Sequence, residues 1–545
     1  MKMKKEKWRG ERHRRHIQVS FLLFPFSLVL FPLMKCLSRV TLLLLLILFG
    51  GCTDVTGPEQ PASDRLVVGM EQEPATLDPR FAVDVASSRA IQLLFNGLVK
   101  KDPSSNLVPD LAESWETPDP KTYRFRLRKG VKFHDGKELT AADVKYTFDS
   151  IRDPVTRSPL AGSYKIIKAI ETPGPYTVSF HLRKQFAPFL INMTVGIVPM
   201  HAAKAAGKGF SVHPVGTGPF SLKKWTRDEE LQLQAFDGYF DGRPHMDEVI
   251  FRIIPDDTVR YLELKKGSLD FVQNNLPPDV VAGIEREEGL KVLKSPGTNY
   301  EYIGFNLQDD YCRLREVRLA VAHSLNIPLM IRHLLKGLGT EATGILYPGH
   351  WGYNPDVPRY EYNPDLARKL LDRAGFPPDE NGYRFTLEYK TTQADLSRRK
   401  GEVIQEQLAS VGIRVKLSSY EWSAFFADIR RGNFQLYSLQ WVGVTEPDIY
   451  YYLFHSRSIP PEGANRGHYI NPALDELIEA GRFTLDLEER RAIYGNIQRI
   501  VAHDLPYISL WYNVNVVVMK KNLEGYVMYP AGDFSALKNV RWKKS

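Results

Sequence analysis

Between Arg384 and Leu417 the spacing of apolar residues changes period twice. Arg384–Lys390 alternates as a strand, Arg398–Val411 carries Val403, Ile404, Leu408 and Val411 at helical spacing, and Ile413, Val415 and Leu417 alternate again. Period two marks a half-buried strand, and spacings of three and four mark an amphipathic helix. A strand, a helix and a second strand in so short a run make a βαβ unit, because parallel strands need a crossover of this length. The chain is therefore expected to contain an α/β lobe with a parallel sheet. In such sheets ligands bind beyond the carboxyl ends of the strands.

Two helices flank that unit and announce their own ends. Asn363-Pro364 through Ala374-Gly375 and Asn471-Pro472 through Ala480-Gly481 each place Asn as cap, Pro first and Gly just past the last turn. Asn accepts an orphan N–H, Pro lacks one, and Gly takes the left-handed conformation that closes a helix. The first half of the chain mixes both periods. Tyr123, Phe125 and Leu127 alternate, as do Tyr176, Val178, Phe180 and Leu182, while Thr140-Ala141-Ala142-Asp143 reads as a capping box opening a helix through Phe148. A chain of 545 residues exceeds the roughly 250 to 300 at which single cores stop growing. Two or more lobes are expected.

The formal charge of +8 is confined to the start. Of 72 Lys/Arg and 64 Asp/Glu, residues 1–51 hold ten and two, and what remains balances at 62 each. No net field is left to attract phosphate polymers, so nucleic acid is excluded as a partner. The apolar stretches Phe21–Met34 and Val40–Phe49 fall short of the ~20 residues of a spanning helix. The second has the layout of a secretion signal: a basic Met34-Lys35-Cys36-Leu37-Ser38-Arg39, an apolar run Leu42–Leu48, then Gly50-Gly51-Cys52. This resembles a bacterial lipoprotein box, which implies lipidation at Cys52, with Phe49 in place of the usual Leu and Met34 as a possible true start. A single-pass anchor is the alternative, and both place the rest of the chain outside the cytoplasm. Residues 52–65 are short, polar and rich in Pro, Ser and Thr, as suits a solvated tether, with the folded body beginning near Leu66. With Cys52 acylated, Cys312 has no partner for a disulfide within the chain.

Several blocks along the body resemble those of bacterial extracellular solute-binding protein family 5, the group of dipeptide-, oligopeptide- and nickel-binding proteins of ABC importers. They begin at Glu73-Pro74-Ala75-Thr76-Leu77-Asp78-Pro79 and Leu93-Leu94-Phe95-Asn96-Gly97-Leu98, and are densest from Leu107 to Asp153. They resume at Pro214–Phe220, Tyr302-Ile303-Gly304-Phe305-Asn306, Val317-Arg318-Leu319-Ala320 and Gly432-Asn433-Phe434 before Trp441. The resemblance implies a two-lobed periplasmic-binding-protein fold of type II, of the large peptide-binding class, with mixed sheets and a hinge of two crossing strands. Those strands are expected near Tyr300–Asn306 and Ser509–Val516. Lobe I would span 66–300 with an inserted subdomain at about 100–215, lobe II 301–508, and residues 509–545 would return to lobe I. The implied function is that of a monomeric, membrane-anchored receptor on the periplasmic side or the outer face of the cell membrane. It would close its lobes around a peptide or peptide-like solute and deliver it to ABC permease subunits.

Peptide binders of that family fix the ligand's α-ammonium with a carboxylate in a pattern like W-x-G-D. Here the segment reads Trp441-Val442-Gly443-Val444-Thr445-Glu446-Pro447-Asp448, with valine at the carboxylate's position. Val444 accepts no hydrogen bond, so either Glu446 or Asp448 substitutes, or the ligand lacks a free amine there. A solvated turn around Pro447 is the plain alternative for the two acids. Aromatics gather nearby: Tyr420, Trp422, Phe425 and Phe426, then Trp441 and Tyr450–Tyr452. The candidate ligand-binding residues are Tyr420, Trp422, Trp441, Gly443, Val444, Glu446 and Asp448, with Phe425 and Phe426 assigned to the core. Trp511-Tyr512 near the second hinge crossing is a weaker candidate, since hinge packing explains it equally.

Catalysis finds no footing in the sequence. G-x-S-x-G, H-E-x-x-H, the P-loop and a strand-to-helix G-x-G-x-x-G are all missing, and Ser397-Arg398-Arg399-Lys400 lacks its partner motifs. His134, His201 and His350 lack metal-ligand spacing, so no metal or cofactor is expected. The rival readings are a sensing or partner-binding protein on the same fold, a nickel-chelate or haem binder, and an extracytoplasmic enzyme.

Overall fold

Two strands of 16 and 14 residues, Leu290–Phe305 and Tyr507–Lys520, run antiparallel side by side. They far exceed the five or six residues of an ordinary strand. The computed structural model describes residues 64–543 except Asn275; the leader, Cys52 and the tether through residue 63 lie outside the described residues. Among those described, the long pair belongs to an eleven-stranded sheet. Its strands are β1 (Arg65–Met70), β2 (Phe220–Thr226), β3 (Glu230–Ala235), β4 (Glu248–Ile253), β5 (Phe271–Gln273), β6 (Leu290–Phe305), β7 (Gly339–Glu341), β8 (Phe385–Thr392), β9 (Ile413–Tyr420), β10 (Leu436–Trp441) and β11 (Tyr507–Lys520). The order is β9-β8-β10-β6-β11-β5-β1-β4-β3-β2, with β7 added to β11.

The long pair changes neighbours along its length. Leu290–Pro296 lies against Val514–Lys520, where β11 also pairs with β5; Tyr300–Gly304 lies against Tyr507–Tyr512, where β6 also pairs with β10. Between the two halves the register shifts, from Pro296 to Tyr300. Pro296 has no N–H to offer the ladder. The sheet thus passes from one lobe to the other through an irregular step in two strands, a local break in an otherwise stiff ladder.

Each half has its own apolar core. One packs Leu66, Val68, Leu94, Phe220, Phe251, Phe271 and Phe534, and the other packs Val321, Leu371, Leu387, Ile404, Ile413 and Leu510. A separate four-stranded antiparallel sheet, in the order Ala112–Asp119, Thr122–Leu127, Thr177–Leu182, Ile167–Gly174, carries the helix Ala141–Arg152 and a third core around Phe125, Phe148 and Phe180. A fourth cluster, rich in tyrosine, packs Tyr300, Tyr302, Tyr437, Tyr450, Tyr507 and Tyr512 beside the lobe-two half of the long strands.

The βαβ unit is present: β8 and β9 pair in parallel from Phe385↔Ile413 to Thr392↔Tyr420, joined by the helix Asp395–Ala409. The capping box forms as well, with Thr140 N–H donating to Asp143 Oδ2 at 3.0 Å. Asn363 caps Pro364–Arg373, and Gly375 follows in the left-handed region at φ 87°. The other Asn-Pro helix corrects its expected end. It starts at Pro472 under Asn471 but runs through Gly481 to Phe483. Gly481 is there for closeness, because a Cβ would sit 2.9 Å from the Tyr494 ring. Small size and left-handed freedom are indistinguishable in sequence. No helix among the described residues is long and apolar enough to cross a membrane. Cys312 is buried, and burial pushes its thiol well above the ordinary range.

Candidate functional site

Trp441 ends β10, paired with Tyr300 at the edge of the register step, and the chain then leaves the sheet as the loop Val442–Asp448 before the short helix Ile449–Phe454. The loop turns at Gly443, whose φ of 67° lies where residues with a side chain are strained. Its N–H donates to Asn299 Oδ1 at 3.1 Å, tying the loop to the step in β6. Val444 is buried in the tyrosine-rich cluster.

The following residues hold the loop by polar contacts. Thr445 O is 3.3 Å from His350 Nε2, and Thr445 Oγ1 accepts from Lys101 Nζ at 2.7 Å. Gly352 N–H donates to His350 Nδ1 at 2.9 Å, so that nitrogen is bare and Nε2 carries the proton given to Thr445. Burial lowers the His350 pKa from 6.5 to about 4. Glu446 Oε1 lies 2.7 Å from Arg490 Nη2, and Asp448 Oδ1 lies 2.7 Å from Arg482 Nε. Burial raises both carboxyls and the arginines pull them back.

The loop forms one wall of a cleft of about 970 Å³. The opposite wall comes from the four-stranded subdomain, through Pro159, Ser163, Lys184, Phe186, Ile191 and Asn192. The walls meet at one end. The Arg482 guanidinium lies 5.2 Å from the Phe186 ring, Lys184 Nζ lies 3.5 Å from the Phe483 ring, and Gln185 Nε2 donates to Phe483 O. Trp441 stacks on Tyr302 at 6.4 Å and meets Tyr452 edge-on at 6.1 Å, and its buried Nε1–H has no acceptor among the described residues.

Of the residues singled out by sequence, Trp441, Gly443, Val444, Glu446 and Asp448 line this cleft together. Tyr420 and Trp422 are not among its lining. Tyr420 closes β9 with the Lys390 ammonium 5.3 Å from its ring, and Trp422 is 54% exposed and stacks on Phe426. Phe425 is fully buried, and Phe426 meets the guanidinium of Arg466 at 5.2 Å. Tyr512 is buried and donates to Gly344 O and Leu346 O, which is hinge packing. Sequence reasoning missed Lys101, His350, Arg466, Arg482 and Arg490, all distant in the chain from the loop they touch or neighbour. Their one local signal was the placement of Lys101 three residues after the family-like block ending at Leu98. His134 is structural: Gly216 N–H donates to its Nδ1 and its Nε2 faces Gly218 O, each at 3.1 Å.

Comparison with known proteins adds relatives along nearly the whole body. The family described as "Bacterial extracellular solute-binding proteins, family 5 Middle" matches residues 106–460. The oligopeptide-binding protein AppA of Bacillus subtilis (strain 168) is 33% identical over 499 residues, covering 88% of this chain and 91% of that protein. The dipeptide-binding protein of Escherichia coli (strain K12) is 30% identical over 501 residues, covering 86% and 92%. The solved structure of Bacillus subtilis AppA in complex with a nonapeptide superposes with a TM-score of 0.77 at 31% identity, covering 88% of this chain and 99% of that one. The two-lobed α/β fold is that of these periplasmic-type binding proteins.

Proposed function

The chain belongs to the bacterial extracellular solute-binding proteins of family 5, and from that membership we propose that it is the lipid-anchored receptor of an ABC importer for peptides or peptide-like solutes. The family is one of transport, not of catalysis. The observation that supports the reading best is the cleft of about 970 Å³ that opens between the subdomain and the loop after β10, beside the register step in the two long strands. A volume of this order suits a short peptide. Bending at the step brings the walls together, and the closed shape is what the permease subunits read. The ligand lies along Trp441, Gly443 and Val444, while Glu446 and Asp448, matched by Arg490 and Arg482, position the loop. Trp422 acts at its margin, stacked on Phe426 beside Arg466, while Tyr420 stands apart at the end of β9. Acylation of Cys52 holds the body at the membrane through the tether.

Native mass spectrometry of the full chain extracted from its own host tests this. A peptide or peptide-like compound released on denaturation is the expected result. An empty protein that no member of a broad peptide and metabolite panel stabilises against heat would overturn it. For the anchor, Cys52→Ser is expected to move the protein out of the membrane fraction.

A further inference from the structure

The strands that join the lobes present two different faces. Successive residues of a strand point to opposite sides, and the register across β10, β6 and β11 aligns Trp441, Tyr300 and Tyr512 on one side and Gln440, Glu301 and Trp511 on the other. The first set packs in or against the tyrosine-rich cluster, and Trp441 lines the cleft. The second set lines another cavity, of about 280 Å³, on the rear of the sheet. That cavity straddles the lobes: Asn274, Pro278 and Val281 come from the first, and Leu335, Leu396 and Lys400 from the second. At its floor Lys400 meets Glu301 in a buried ion pair.

Beside this cavity an ionic clasp spans the lobes. The carboxylate of Asp279, in the first turn of the helix Pro278–Ile284, lies 2.9 Å from Lys336 Nζ and 3.4 Å from Arg399 Nη1. Lys336 holds φ at 50°, in the left-handed region that side chains disfavour, and Gly337 follows at 81°. Backbone in that region persists where its surroundings enforce it. Arg399 divides its charge between Asp279 and Asp395 of its own helix, so Lys336 is the closer and less shared partner. Lys336 foremost, the two cations hold the Asp279 carboxyl below its usual range.

Bending about the step narrows one face of the sheet only by spreading the other. Contacts across the cleft, such as Lys101 with Thr445 and Arg482 with Phe186, tighten in that motion, while those of Asp279 stretch. Building on the receptor reading, we propose that Asp279, Lys336 and Arg399 form a rear clasp that resists closure of the lobes, so that a solute must part the clasp to be enclosed. Ion pairs this exposed are weak, and the clasp shifts the balance of open and closed states by about two- to five-fold rather than fixing it. The shift passes into affinity, because apparent affinity scales with the fraction of chains in the competent state. Salt screens the clasp, so raising it favours closure.

Small-angle scattering of the ligand-free full chain, and isothermal titration with a mixed-sequence synthetic peptide library, test this. Asp279→Asn keeps the side chain's shape and removes its charge, and Lys336→Gln removes the charge on the other lobe. Both side chains are partly exposed, so neither change threatens the core. Each variant is expected to have a smaller radius of gyration than the unaltered chain at about 50 mM salt and to bind the library about two- to five-fold tighter. Each is also expected to lose the contraction that the unaltered chain undergoes on going to about 500 mM salt. Asp279→Glu keeps the charge and is expected to behave as the unaltered chain does. An unchanged or larger radius in both charge-removing variants overturns this inference, and the receptor reading stands as long as the library binds. A library that binds none of these chains overturns the peptide-receptor reading, and the scattering then decides the clasp by itself.

Discussion

Lys101 Nζ donates to Thr445 Oγ1 at 2.7 Å, so a residue of the first lobe grips a loop 344 positions further along the chain. A bond from a charged donor contributes about 2 kcal/mol, enough to bias two lobes joined by a flexible step. Thr445→Val keeps the side chain's shape and removes the acceptor. Small-angle scattering of the ligand-free chain is expected to give a larger radius of gyration for this variant. An unchanged radius would assign the contact between the walls to Arg482–Phe186 and Lys184–Phe483 instead.

The pair Glu446–Arg490 sets up a second measurement. Arg490 is 6% exposed, and its Nε also donates to Gly481 O at 3.0 Å. Arg490→Met strands the Glu446 carboxylate in a poorly solvated place, which costs about 3 kcal/mol. Urea denaturation is expected to show that loss, and Glu446→Gln in the same chain to recover more than half of it. Strict additivity of the two changes would mean that the side chains do not interact.

The local grammar of the sequence carries much of the fold. Asn-Pro starts, the capping box at Thr140 and the change of period across 384–417 are each decided by residues within a few positions, and each formed. Gly481 shows the limit. A glycine after an apolar run reads as a stop, while its reason for being there is Tyr494 on another helix. The cleft shows the limit more plainly. Trp441 to Asp448 stand in one stretch of sequence and line one wall, but the partner of Glu446 lies 44 positions away. Nothing local announces such a pairing, because ion pairs are fixed by packing of distant elements. Arg466 looked like any loop arginine, and only the rings of Trp441 and Phe426 around it set it apart.

His350 predicts how the loop responds to acid. Its Nδ1 accepts from Gly352 N–H, so protonation removes an acceptor and buries a charge near Arg490. The folded pKa, about 4, lies below the ordinary 6.5. The contribution is therefore intact above pH 6.5, falls as the pH drops, and levels off below about 4. Linkage gives about 2 kcal/mol lost between pH 7 and 4.5 for a shift of this order. His134, whose pKa is likewise lowered to about 4 by burial, adds a loss in the same direction and window. Denaturation curves at the two pH values are expected to differ less for His350→Gln than for the unaltered protein. An equal difference would remove His350 from the account.

Gly443 separates backbone strain from crowding. A Cβ there meets nothing nearer than Ala531 Cβ at 3.8 Å, so there is room, but φ is 67°. An alanine held in that region costs about 1 kcal/mol, and asparagine less. Gly443→Ala is expected to lower stability by that amount, with Gly443→Asn between it and the unaltered protein. If both substitutions were neutral, the loop would be relaxing and the bond from Gly443 N–H to Asn299 would not be setting its turn.

Val444→Asp tests what the cleft is built to accept. Val444 is 6% exposed among Tyr300, Tyr302, Tyr437 and Tyr450, where a carboxylate has no cation assigned to it. Arg482 and Arg490 are already committed to Asp448 and Glu446, and the Arg466 guanidinium lies 5.0 Å from the Trp441 ring. An unmatched acid in such a place costs about 2 kcal/mol, so the empty variant is expected to melt earlier than the unaltered protein at neutral pH and to recover as the new carboxyl is protonated at lower pH. Peptides with a free amine are expected to restore its stability, and N-acetylated ones to restore it less. If the variant instead keeps its stability at neutral pH without ligand, Arg466 has turned to meet the new carboxylate.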